Sequence, residues 1–137
     1  MELRIPRLLL LIPILVLIGA GAVFGARAMR PGEDPDLEVA RQAVIQIYSA
    51  RKGETYSALS SDLAERYRLQ AERMPEWQRG ARVEIYGAAP VWRGEGFVEV
   101  AVAGKMTPNK PDAAALPIRV FVRVQNGKAV AVFSSLP

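Results

Sequence analysis

Histidine and cysteine are both absent from the 137 residues. Thiol nucleophiles, imidazole bases and the usual zinc ligand sets are therefore excluded, and no disulfide can form. The fourteen acids are scattered, with no spaced Asp, Asn and Gly run of an oxygen-ligand loop, so neither metal nor cofactor is expected. What remains is recognition chemistry. Arg119, Phe121 and Arg123 alternate, which places all three on one side of an extended strand. Arginine beside an aromatic ring is the composition of an interface hot spot, and this trio is the candidate partner-binding face. Glu84 and Glu99 fall at outward positions as well, so the competing reading is a set of cross-strand ion pairs on a wet sheet face. Trp77 and Trp92 lie in segments that bracket the first strand. They are the candidates for a pocket holding a small apolar or lipid-like ligand, with rim packing as the alternative. Tyr48 and Tyr67 fall on apolar helix stripes and read as core.

These groups must be positioned by a small body behind a hydrophobic segment. Leu8 to Ala26 runs for nineteen residues without a charge, between Arg4 and Arg7 on one side and Arg27 and Arg30 on the other. As a helix it would be about 28 Å long, close to the hydrocarbon thickness of a bilayer. Residues 1–30 are thus expected to be a basic head and transmembrane anchor, with Leu8, Leu11, Leu15 and Phe24 among the lipid-facing positions. A cleaved signal is the alternative, since Ala26-Arg27-Ala28 offers a small-x-small site. The full spanning length favours the anchor. The short basic head favours a cytoplasmic N-terminus, a single pass and an extracytoplasmic C-terminal domain at the cell membrane. With Glu2 and the four flanking arginines set aside, fourteen cations face thirteen acids. The basic excess thus belongs at lipid headgroups and makes no case for nucleic acid.

Residues 31–35 read as a tether and 36–137 as one domain. Asp34-Pro35-Asp36 starts a helix, with Leu37, Ala40, Val44, Ile47 and Tyr48 as its apolar stripe and Arg51-Lys52-Gly53 as its close. Ser60-Ser61-Asp62 starts a second helix that Met74-Pro75 stops, and Tyr56 to Leu59 is a helical turn between them. From Ala81 the period falls to two. Val83 and Ile85, then Val98, Val100 and Val102, then Ile118, Val120, Val122 and Val124 mark inward faces. Asn126-Gly127 signals a closing hairpin into Ala129 to Ser134. The expected class is α+β: an N-terminal transmembrane helix, then two or three helices packed on a curved four-stranded antiparallel sheet.

ARQAVIQIYSARKGETYSALSSDLAERY, VEIYGAAPVWRGEGFVEVAV and IRVFVRVQNGKAVAVFSS, in that order, resemble the cystatin-like cone of nuclear transport factor 2-like proteins. A membrane helix ahead of such a domain is similar to the bitopic scaffold subunits of type IV secretion and conjugation machines. The resemblance implies a shape, and no acid/base pair of that superfamily's enzymes can be placed here. The expectation is a non-enzymatic, membrane-tethered interaction or scaffold domain. Its partners are lipid along residues 8–26 and either a protein or a second copy. The alternative is a tethered binder of a small apolar ligand.

Overall fold

Proline at the first helical position and two acids, Asp36 and Glu38, in the first turn start α1 (Pro35–Ser49). The structure, a computed structural model, describes residues 34–134. The expected anchor, with Leu8, Leu11, Leu15 and Phe24, lies outside the described residues. Among those described, no helix is long and apolar enough to cross a membrane. The fold belongs to the second of two units into which the chain divides, Met1–Pro35 and Asp36–Pro137.

One stripe of α1, Ala40, Ala43, Val44 and Ile47, is buried. The helix ends earlier than Gly53 would suggest, and no cation occupies its last turn. Ala50 takes the left-handed backbone at φ +43, which costs a non-glycine residue about 1–2 kcal/mol. Turning there leaves the Ser49 carbonyl free to accept from the Gly80 N–H at 2.6 Å. Ser60 caps α2 (Ser61–Glu72), its hydroxyl accepting from the Leu63 N–H at 3.4 Å. After Pro75 comes a short 3-10 turn, Glu76–Gln78. The segment before α2 is a plain turn ending in a bridge from Leu59 to Ala129.

The sheet has the order β1-β2-β3-β4, every neighbour antiparallel: β1 (Arg82–Gly94), β2 (Phe97–Thr107), β3 (Leu116–Gln125) and β4 (Lys128–Phe133). Asn126 and Gly127 both take positive φ, +54 and +75, as a tight hairpin turn demands. Val98, Val100, Val102, Ile118, Val120, Val122 and Val124 form the inward face and join the helix stripes with Tyr56, Leu59 and Leu63 in one core. Each such side chain contributes about 1.5–3 kcal/mol by burial, far more than a surface ion pair, so this face holds the domain together.

β1 departs from the sequence reading. The strand was expected to stop before Trp92, yet it runs on through Pro90 to Gly94. Proline is tolerated there because β1 is an edge strand and its register shifts between Pro90 and Trp92. A second shift lies between Ile85 and Gly87. Each extra residue resets which side chains face the core and bends the strand. At the first shift β2 carries Gly104, where a Cβ would collide with the Glu84 carbonyl oxygen. At the other edge of the sheet, segment 58–60 covers β4: the Ser60 N–H donates to the Ala129 carbonyl and the Ala129 N–H to that of Ala58, both at 2.8 Å.

Candidate functional site

Strand register arranges the outward side chains into rows that cross the sheet. Trp92, Glu99, Arg123 and Ala131 form one row, Ala89, Ala101, Phe121 and Phe133 the next, and Gly87, Ala103 and Arg119 a third. Beyond these, Glu84 stands opposite Lys105.

The first row is closed. The Arg123 guanidinium donates to Glu99 Oε2 through Nε at 3.0 Å and Nη2 at 2.6 Å. It also lies 4.6 Å from the Phe97 ring centroid and 5.9 Å from that of Phe133, while the Glu99 side chain is only 12% exposed. Arg123 therefore neutralises a mostly buried carboxylate while its own guanidinium lies against two aromatic rings. The Glu84–Lys105 pair, 3.7 Å apart and more exposed, closes the other end weakly.

Between these ion pairs the face is open. Gly87, Ala89, Ala101 and Ala103 carry almost no side chain, and they floor a trough of about 620 Å³ with Tyr86, Phe121 and Arg119 along its sides. Among the described residues Arg119 has no ion-pair partner. Tyr86 is 63% exposed and Trp92 59%, both on the bulged edge strand. An apolar trough with one unneutralised guanidinium suits a partner segment that brings apolar side chains and a carboxylate.

Of the three residues assigned to this face from sequence, Arg119 and Phe121 line the trough and Arg123 does not. The two tryptophans are likewise separated. Trp77 lines a cleft of about 410 Å³ between helices and sheet, with Tyr48, Tyr67, Met74, Met106 and Leu116. Trp92 faces outward on β1, in the row of Glu99. Burial in this cleft, and secondarily the neighbouring Tyr67, raises the Tyr48 phenol above its ordinary value of 10.0. The Lys110 ammonium sits 5.2 Å from the Trp77 ring centroid. Sequence reasoning passed over Tyr86 and the four small residues. Their signal was alternation on neighbouring strands, Gly87-x-Ala89 and Ala101-x-Ala103, where alternating small residues on a wet face have no core to fill. Among the described residues no group of three carboxylates could hold a metal ion.

Comparison with known proteins finds no family model and no curated protein that matches this chain. Among solved structures, the fold is similar to that of TraH from the Gram-positive conjugative plasmid pIP501, described as a transfer protein and determined in solution by NMR. The two superpose with a TM-score of 0.56 at 7% identity, covering 75% of this chain and 93% of that one. At that identity, what the two chains share is a fold.

Proposed function

We propose that this chain is a non-enzymatic scaffold subunit of a transfer assembly. Residues 8–26 anchor it in the cell membrane, the tether 31–35 leads outward, and the domain 36–137 docks a protein partner on the extracytoplasmic side. In this reading the domain is a nuclear transport factor 2-like cone. The observation that carries the proposal is the trough floored by Gly87, Ala89, Ala101 and Ala103 beside the unpaired Arg119. A sheet face that served only solubility would carry long polar side chains at those positions. The fold likeness to a conjugative-plasmid transfer protein supports the same class of role, and the uncharged nineteen-residue run supports the tether.

The test is recovery of crosslinked complexes from membranes, with circular dichroism as the check on folding. Arg119→Glu and Ala103→Trp are expected to keep the fold and lose the complex, whereas Arg66→Glu on the exposed side of α2 keeps both. Undiminished recovery with both trough variants would remove the trough from the account. The second reading, a tethered binder of a small apolar ligand, is favoured by the Trp77 cleft, whose volume falls within the range of ligand sites. Under it the trough variants are silent and Trp77→Ala causes the loss.

A further inference from the structure

A third concavity lies where the loop after α1, the end of the 3-10 turn and the β2–β3 loop meet. It measures about 420 Å³, and Arg51, Lys52, Arg79, Glu76, Gly80 and Asn109 line it. We infer that it is an anion site built for a phosphate monoester. The site shares no lining residue with the trough, so this inference stands or falls apart from the function proposed above.

Charge comes first. Three cations face one carboxylate, that of Glu76, and among the described residues none of the three has an ion-pair partner. The remaining local charge of about +2 matches a phosphate monoester, which carries roughly −1.5 to −2 at neutral pH, better than a single carboxylate. The negative end of the α1 dipole accounts for Arg51 and Lys52 as surface cations, but not for Arg79, which arrives from another element. Arg79 supplies the second observation. Its Nε–H is buried and, among the described residues, has no acceptor, a state that costs a folded protein free energy unless a bound group relieves it. That atom is closed to solvent, so an oxyanion in the cavity would satisfy it only if the guanidinium turned toward the opening.

The walls are fixed before any ligand arrives. The Gly80 N–H donates to Ser49 and the Arg79 N–H to Glu76, joining the turn to the end of α1. The Asn109 amide nitrogen lies over Gly80, 3.6 Å from where a Cβ would stand, which adds an uncharged donor on the loop side. The opening is on the order of fourteen waters at about 30 Å³ each, so it has room for an organic body beyond the phosphoryl group. The same chemistry occurs on soluble phosphomonoesters and on the headgroup of phosphatidic acid.

The experiment is a titration of inorganic phosphate into the full chain in a non-ionic detergent, followed by calorimetry. Saturable binding that weakens with added salt is expected. Arg51→Gln combined with Lys52→Gln alters exposed residues only and should weaken it by about tenfold or more, the scale of one or two charge-assisted contacts. Arg66→Gln and Arg119→Gln should leave it unchanged. Glycerol phosphate binding at least as well as phosphate would identify a soluble ligand. Capture by phosphatidic-acid vesicles over phosphatidylglycerol vesicles, lost in the Arg51/Lys52 variant, would identify the headgroup. No saturation with phosphate, or equal weakening in the Arg66 and Arg119 controls, overturns the site.

Discussion

Arg119 and Arg123 sit four residues apart on the same face of the same strand, and the fold uses them differently. Arg123 is opposite Glu99 and between two phenylalanine rings, so its charge is consumed inside the domain. Arg119 is opposite Ala103, beyond which lies Gly87, and among the described residues no carboxylate pairs with it. Residue type and strand are the same, and only the neighbours supplied by β1, β2 and β4 differ. The lesson is that an outward arginine keeps its charge unneutralised when its row of the sheet is built from residues too small to hold it.

The contrast between the two faces of the sheet should give the largest effect. Val122 is fully buried on the inner face, and Val122→Asp would leave an unpaired carboxylate among valines. Loss of the cooperative thermal transition is expected. A near-native melt would mean that β3 faces the other way and that every row assigned here is inverted.

Within the outer face, Arg123→Ala should cost about 1–3 kcal/mol, because the mostly buried Glu99 loses its partner. Arg119→Ala should stay within about 0.5 kcal/mol. Denaturant melts of both, with a Glu99→Ala/Arg123→Ala double-mutant cycle, measure the gap directly. Equal costs would erase the distinction between a closed row and an open one.

That distinction marks where sequence reasoning stops. Asn126-Gly127, the Ser60 cap and the valines of β2 and β3 are local signals, and the α+β meander follows from them. β1 is another matter. Its two extra residues reset the inward and outward alternation, and their positions are fixed by pairing with β2, including the close approach at Gly104. No local pattern in YGAAPVW reveals that Trp92 faces the row of Glu99, or that Trp77 and Trp92 part company. Arg51 and Lys52 are likewise far from Arg79 in sequence and meet it only because the 3-10 turn is bonded to the end of α1.

The smallest effect touches neither row and reads the inner cleft. The Tyr48 phenol is raised above 10.0 by burial, and that of Tyr56 is raised too, by burial and by Glu54, with Arg79 opposing. The folded state then holds these protons more tightly than the unfolded state. Their contribution is intact below pH 10.0 and is lost as pH climbs past it. Tyr48→Phe should flatten, without abolishing, the alkaline decline in melting temperature. An unchanged slope would take Tyr48 out of the buried side of the cleft.

The central claim is that the Arg119 row, and not the rest of the surface, meets the partner. The direct measurement places a photo-crosslinking side chain at Ala103 on the trough floor, or at Ser61 on the exposed start of α2, in the full chain in living cells. The account predicts one discrete crosslinked species from Ala103, its disappearance when Arg119→Glu is added, and none from Ser61. A species of equal yield from both positions, or one from Ala103 that survives Arg119→Glu, would contradict it.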